Sequence, residues 1–323
     1  MRVGAAQIAP VWLNRQATAE RIVESIDQAA VSGVELLAFG ECLLPGYPFW
    51  IDRSDGARFD SALQADLYAH YLDQAVCIED GDLDLICEAA RRNQMTVVVG
   101  ILERPADRGD SVYAAAVVVL PDGSIGSVQR KLMPTYEERL VWATGDGHGL
   151  RVHRLGEFTL GALNCWENWM PLARVALHAQ GEDLHVAIWP GNERNTRDIS
   201  RFMAIEGRSF VLSASGLMRS EDGPEAFEFN SKLGSRLKQA IKDMPGAGDL
   251  PWARGGSCLC APDGTWVIAP VNDESGIFFA DIDAADVRRA RRQFDPSGHY
   301  SRPDVFRLEL DRTRQKIAWI DDG

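Results

Sequence analysis

Histidine is scarce in this chain, positive charge is in deficit, and long apolar runs are missing. The 323 residues hold six histidines, scattered so that none forms a paired helical ligand motif, and 34 lysines and arginines face 47 aspartates and glutamates. The formal net charge of −13 is nowhere reversed by a long basic stripe, which excludes nucleic acid and anionic membrane surfaces as expected partners. The densest cationic run, Arg288-Arg289-Ala290-Arg291-Arg292, falls on an expected helix and reads as a solvated face, with an oligomer contact as the second reading. No apolar stretch approaches the length that spans a bilayer. The opening residues, Met-Arg-Val-Gly-Ala-Ala-Gln-Ile, read as a strand rather than as a charged-then-apolar leader, so a cytoplasmic protein is expected.

Other absences narrow the chemistry. There is no Gly-rich phosphate loop and no Cys-x-x-Cys pair, so a thiol redox role lacks its usual motif. The six cysteines (42, 77, 87, 165, 258 and 260) are expected to be reduced thiols, because a long chain in a reducing compartment does not rely on disulfides. Cys258-Leu-Cys260 has no histidine or cysteine close enough to complete a zinc pattern, and reads as a structural strand. Neither a metal nor an organic cofactor is implied. The chemistry must come from side chains.

What is present is a recurring alternation. Strands are predicted at 2–8, 34–39, 95–102, 112–120 and 124–131, with helices at 18–32 and 83–92, the second capped by Asp82. The order partly repeats after residue 158: a strand from Phe158, a helix over 172–180 opened by Pro171, a strand at 184–189, a helix at 199–209 and a strand at 210–215. Each half ends in a hairpin signal, Pro121-Asp122-Gly123 and Pro262-Asp263-Gly264; the second joins strands 257–261 and 265–269, and a strand at 277–281 follows. Ser220 to Gly256, rich in Gly, Pro and charge, reads as a long excursion around one short helix. The pattern by itself indicates an α/β fold with hairpins.

Three expected strand ends carry reactive groups. Phe-Thr-Leu-Gly-Ala-Leu-Asn-Cys165-Trp-Glu-Asn-Trp-Met-Pro places a thiol at a strand-to-helix turn, where backbone N–H groups point at a reaction partner. Glu41 and Lys131 each stand at a predicted strand end, and a charge so placed either escapes to solvent or needs a buried partner. Together the three supply what attack on a carbon–nitrogen multiple bond requires. The carboxylate takes the thiol proton and later returns it to departing ammonia; the ammonium, with the N–H of Trp166, stabilises thiolate and tetrahedral intermediate. Glu138, seven residues beyond Lys131, is placed to hold the lysine or to orient water.

The stretches Phe-Gly-Glu41-Cys-Leu-Leu-Pro-Gly-Tyr-Pro, Arg-Lys131-Leu-Met-Pro-Thr-Tyr-Glu-Glu138-Arg and Leu-Asn-Cys165-Trp-Glu-Asn resemble, in order and separation, the three signature motifs of the nitrilase superfamily. Cys165-Trp166-Glu167-Asn168, Pro-Thr-Tyr-Glu-Glu-Arg-Leu-Val-Trp and Gly-His-Tyr-Ser-Arg-Pro-Asp (298–304) resemble its nitrilase branch. The resemblance implies a single carbon-nitrogen hydrolase domain over 1–323, an α-β-β-α sandwich that pairs as αββα–αββα in a homodimer or larger homo-oligomer. The core would cover about 1–285, and 286–323 would take part in oligomer contacts. It implies Cys165 as nucleophile, Glu41 as base, Lys131 as cationic stabiliser and Glu138 as the additional glutamate, with no cofactor. The substrate would be an organic nitrile, hydrolysed to acid and ammonia through a thioimidate and a thioester, with some amide as a by-product. Cyanide dihydration and amide hydrolysis on the same scaffold are the alternatives, followed by a non-catalytic scaffold protein. The resemblance leaves nitrile class, acid-to-amide ratio and assembly size open.

Further residues have weaker claims. Trp166, Trp189, Tyr47 and Tyr136 are candidate substrate-pocket residues, Trp189 on the ground that the loop after it follows a strand end; Trp50 and Trp169 are lesser candidates. Glu137 reads as a surface residue, Cys42 as inert and facing away from Glu41, and Glu167 as a structural acceptor at the helix start, since a carboxylate near the thiol would raise its pKa.

Overall fold

The computed structural model describes residues 1–219, 222, 243 and 251–318. The first strand, β1 (Arg2–Gln7), leads into α1 (Arg15–Val31), whose first turn is capped by Asn14 Oδ1 accepting from the N–H of Ala17. Ile22, Ile26 and Ala29 fall on one side of α1 at helical spacing and are buried. β2 (Leu36–Phe39) follows, then α2 (Trp50–Arg53), α3 (Ala62–Asp73), α4 (Asp84–Asn93) and β3 (Thr96–Glu103). β4 (Tyr113–Val119) and β5 (Ile125–Arg130) form the first hairpin.

The second half repeats this plan. β6 (His153–Leu155) and β7 (Phe158–Asn164) precede a 3₁₀ turn at Cys165–Trp169, then α5 (Pro171–His178), β8 (Leu184–Trp189), α6 (Glu193–Gly207), β9 (Phe210–Ser215) and β10 (Leu217–Met218). β11 (Ala253–Cys260) and β12 (Trp266–Asn272) form the second hairpin, β13 (Gly276–Asp281) returns to pair with β1, and a helix Ala284–Arg291 follows. The two hairpin turns share one device. Asp122 accepts from the N–H and hydroxyl of Ser124, and Asp263 accepts from the same groups of Thr265.

One sheet runs β13-β1-β2-β3-β4-β5 and the other β10-β11-β9-β8-β7-β6, with β12 outside β11. β1, β2 and β3 are parallel, as are β7, β8 and β9. Period-two alternation sends Val3, Ala5, Leu36, Ala38 and Val98 of one sheet against Leu160, Val186, Ile188, Leu212 and Ala214 of the other. The opposite face of the first sheet takes α1 and α4, through Ile22, Ile26, Ile86 and Ala90. The opposite face of the second takes α6, through Ile199, Met203 and Ala204, and α5, through Ala173, Ala176 and Leu177. This is the α-β-β-α sandwich that the resemblance implied.

Several predicted boundaries move, for identifiable reasons. α6 starts six residues before the expected Ile199, because its first turns bury hydroxyls rather than hydrocarbon: Thr196 Oγ1 donates to Gly256 O at 2.7 Å, and Ser200 and Ser213 hydroxyls meet at 2.7 Å. Asp82 does not cap α4. It pairs with Arg15 at 2.6 Å and accepts from the N–H of Cys77. β12 continues through Pro270, which an outer strand tolerates because the missing N–H faces away from the ladder. β11 begins at Ala253, its start hidden by a bulge at Gly255-Gly256. α3 was not expected, since only Leu67 and Tyr71 of it are buried. Most of the excursion expected over Ser220–Gly256 lies outside the described residues. No helix among the described residues is long and apolar enough to cross a membrane.

Candidate active site

The fold brings three strand ends together. Glu41 follows β2, Lys131 follows β5 and Cys165 follows β7, so two come from one sheet and the third from the sheet packed against it. Glu41 is held across that junction, its backbone N–H donating to the carbonyl of Trp189 at the end of β8. Gly100 on β3 makes this approach feasible: a Cβ there would lie 2.2 Å from Gly40 O and 2.5 Å from Cys42 N.

Lys131 Nζ lies 2.8 Å from Glu41 Oε1 and 2.6 Å from Glu138 Oε2. Glu138 is fixed by its own turn, a 3₁₀ helix at Tyr136–Leu140 with a capping box. Its Oε2 accepts from the N–H of Thr135, while Oε1 accepts from the hydroxyl of Tyr47 at 2.8 Å. Ligand atoms of Glu41, Glu138 and Cys165 all fall within 4.8 Å of one another. A spacing of that kind suits a metal ion, but the Lys131 ammonium already stands between the two carboxylates as the cation of the site. The ring of Trp142 lies 5.3 Å from Nζ and adds a face of negative quadrupole.

Cys165 sits at φ 45°, a left-handed backbone that turns the chain sharply from β7 into the 3₁₀ helix. Glu167 secures this elbow. Its carboxylate accepts from the N–H and side-chain amide of Asn164, the N–H of Leu132 and the amide of Gln129. Glu167 is therefore the structural acceptor that its position suggested, and it ties the Cys165 turn to the Lys131 strand end.

Burial and charge set the proton positions. Burial pushes the Glu41 carboxyl up to about 7; the adjacent ammonium pulls it down and the Glu138 carboxylate pushes it up. Burial, then the nearby carboxylates, hold the Cys165 thiol well above its ordinary value, against the pull of Lys131 and of the Trp166 N–H. The same two carboxylates hold Lys131 protonated against its own burial. The resting site thus has a protonated thiol beside a carboxyl group titrating near neutrality.

A cavity of about 410 Å³ opens above Cys165 and Glu138. Tyr47 and Trp166, two of the candidate pocket residues, line it. Trp189 does not. Its indole is fully buried against Cys165, Ile199 and Met203, with Nε1 donating to Ser213, and the cavity wall is instead made by the next residues, Pro190 to Asn192. Tyr136 does not line it either: at 81% exposure its side chain points out to solvent from the turn that holds Glu138 inward. Trp50 is buried against Tyr71, and Trp169 is half exposed outside the cavity. Glu137, expected to be a plain surface residue, lines the mouth with Thr135, Arg194 and Asn195. Phe49 and Trp252 complete a wall, their rings 5.6 Å apart. Trp252 and Asn195 carried no motif that would have singled them out, because distant loops bring them here. Cys42 faces away into an aromatic cluster, its Sγ 3.2 Å from the Tyr71 hydroxyl.

Known proteins match this chain over nearly its whole length. A "Nitrilase 2" from an unknown prokaryotic organism is 36% identical over 99% of this chain and 96% of its own. An "Aliphatic nitrilase" from Rhodococcus rhodochrous is 34% identical, covering 96% and 82% respectively. Among solved structures, an amidase mutant from Nesterenkonia sp. AN1, with acrylamide added at its active-site cysteine, superposes with a TM-score of 0.63. It is 17% identical, covers 91% of this chain and 97% of its own, and supports the fold alone. The family model for carbon-nitrogen hydrolases matches residues 2–292. With that match and these full-length relatives, the chain belongs to the carbon-nitrogen hydrolase family.

Proposed function

We propose that the protein is a nitrilase that converts an organic nitrile to its carboxylic acid and ammonia, with Cys165 as nucleophile. The observation that carries this reading is the buried array at the cavity floor: Lys131 bridges Glu41 and Glu138, and both carboxylates lie within 4.8 Å of the Cys165 thiol. Full-length relatives named nitrilase support the choice of nitrile over amide.

The groups divide the work by position. Glu41 accepts the thiol proton as Cys165 Sγ adds to the nitrile carbon, and the nitrogen takes that proton to give a thioimidate. Lys131 and the Trp166 N–H stabilise the charge that develops. Water then adds to the thioimidate carbon with its proton passing through Glu41. Collapse expels ammonia and leaves a thioester; a second water cleaves it, releasing the acid and restoring the thiol. Release of the thiol before ammonia would give the amide by-product. Glu138 holds Lys131 in place and shares the cavity wall with Tyr47, Trp166 and Thr135. The cavity is much larger than cyanide needs, which favours an organic nitrile.

A homodimer is proposed as the minimal assembly. α5 and α6 present Leu172, Val175, Phe202 and Ile205 to solvent side by side, with Arg174 of α5 stacked over Phe202 of α6. Pairing through this face would give the eight-layered αββα–αββα arrangement. A cytoplasmic setting is proposed with it, since all six cysteines are unbridged.

The test is incubation with cyanide, short aliphatic, arylaceto- and benzonitriles and their amides, quantifying ammonia, acid and amide. Acid and ammonia from an organic nitrile, but not from its amide, is the expected result. Turnover of amides alone would replace the reading with an amidase, and silence on every compound would remove the catalytic reading.

A further inference from the structure

Beneath the elbow lies a second chain of buried polar groups that the reaction scheme leaves unused. Glu182 precedes β8, His185 is on β8 and Asn168 is in the 3₁₀ turn; all three are at most 3% exposed. Strand alternation explains why His185 is here: Leu184, Val186 and Ile188 face the other sheet, so His185 faces the elbow. His185 Nδ1 lies 2.7 Å from Glu182 Oε1, and Nε2 lies 2.7 Å from Asn168 Oδ1. Asn168 Nδ2 donates to Cys165 O at 2.8 Å and, more weakly, to Leu163 O at 3.4 Å. Gly161 on β7 leaves room for the carboxylate, since a Cβ there would lie 2.1 Å from Glu182 Oε1.

The donor pattern fixes the direction of this chain. Asn168 faces two carbonyls through one side-chain atom, so that atom is the NH₂ and Oδ1 is the acceptor. His185 must therefore carry a proton on Nε2, and one further proton is shared between Nδ1 and Glu182. The chain ends on the carbonyl of Cys165. That carbonyl and the N–H of Trp166 belong to one rigid peptide plane, so holding the oxygen aims the N–H. Arg174 pins the other side of the turn, donating to Asn168 O at 2.9 Å.

We propose that Glu182, His185 and Asn168 form a positioning relay that orients the Cys165–Trp166 peptide, and so aims the Trp166 N–H at the sulfur and at the charge that develops during attack. None of the three touches substrate. The proposal rests on the reading of Cys165 as nucleophile, and thiol reactivity tests it without requiring nitrile turnover.

The experiment measures kcat, KM and the rate of Cys165 alkylation by iodoacetamide, followed by peptide mass, in His185→Leu, His185→Gln and Asn168→Asp. In His185→Leu, kcat and alkylation should both fall about ten-fold while KM stays within about two-fold, the split expected when only charge stabilisation is lost. His185→Gln, whose amide still offers an N–H toward Asn168, should recover most of both rates. Asn168→Asp keeps an acceptor for His185 but has no N–H for Cys165 O, and should be as slow as His185→Leu. If His185→Leu does not fold, Asn168→Asp decides the matter. Wild-type rates in a folded His185→Leu or Asn168→Asp, a rise in KM alone, or a His185→Gln as damaged as His185→Leu would overturn the relay. Rapid alkylation of Cys165 in a wild-type protein inactive on every nitrile would instead overturn the function and leave the relay standing.

Discussion

Lys131 Nζ lies 2.6 Å from Glu138 Oε2, and both side chains are almost fully withdrawn from water. Glu41 meets the same ammonium at 2.8 Å, so one cation serves two carboxylates beside a thiol. Burial, reinforced by the two carboxylates, explains why the thiol keeps its proton; burial, outweighing the pull of the ammonium, explains why Glu41 titrates near 7 rather than in the ordinary carboxylate range.

With Glu41 as the proposed base, its titration should set the acid side of the rate profile. Below about 7 the carboxyl is protonated and cannot accept the thiol proton; above it the base is ready. A plot of kcat/KM against pH should therefore rise with unit slope to a plateau, with its midpoint near 7. A plateau that extends unbroken down to about pH 5 would show that Glu41 is not the base.

Removing the shared cation should be costly for the fold as well as for the rate. Lys131→Met leaves two buried carboxylates facing each other without a counter-charge, a defect worth about 3–5 kcal/mol. Urea unfolding at neutral pH is the measurement. A loss below about 1 kcal/mol would mean that proton uptake at the site replaces the missing cation in the variant.

The nucleophile itself should be dispensable for folding. Cys165→Ala removes one sulfur from a cavity wall and retains the left-handed backbone at a similar cost, so melting temperature should change little while turnover disappears. Measurable nitrile hydrolysis by this variant would remove Cys165 from the mechanism.

Much of the site could be read from the chain because chemistry marks it. Glu41 and Cys165 each end an apolar run, Lys131 closes a strand of mixed polarity, and Glu167 sits where a helix start wants an acceptor. The Trp189 pocket assignment went astray for a structural reason: at a strand end, period two decides whether an aromatic faces cavity or core, and here the indole turns to the core while its backbone carbonyl holds Glu41. The Glu182–His185–Asn168 chain was invisible because its members come from three local elements and share no motif; only the packing of β8 beneath the elbow unites them. Trp252 shows the same limit at the cavity wall, since loop packing rather than local pattern brings it against Phe49.

Gly100 offers the sharpest test of how closely the two sheets must meet. In an ordinary strand, replacing glycine by alanine should help, since alanine loses less backbone freedom on folding. Here the added Cβ would press on Gly40 O at 2.2 Å, Cys42 N at 2.5 Å and Glu41 Cα at 2.7 Å. All three are backbone atoms, so no side chain can swing aside. Two hydrogen bonds, from Leu44 N to Gly100 O and from Leu102 N to Leu44 O, tie the segment after Glu41 to β3, so relief must come by lifting Glu41 itself. A displacement of about 1 Å at a catalytic group costs on the order of a hundred-fold in rate, whereas overpacking of this kind costs about 1–3 kcal/mol in stability. Gly100→Ala should therefore remain folded by circular dichroism and lose about a hundred-fold in kcat. An active Gly100→Ala would show that the base is positioned by Lys131 and the Trp189 carbonyl alone, and that the close approach of β3 is a packing feature without catalytic consequence.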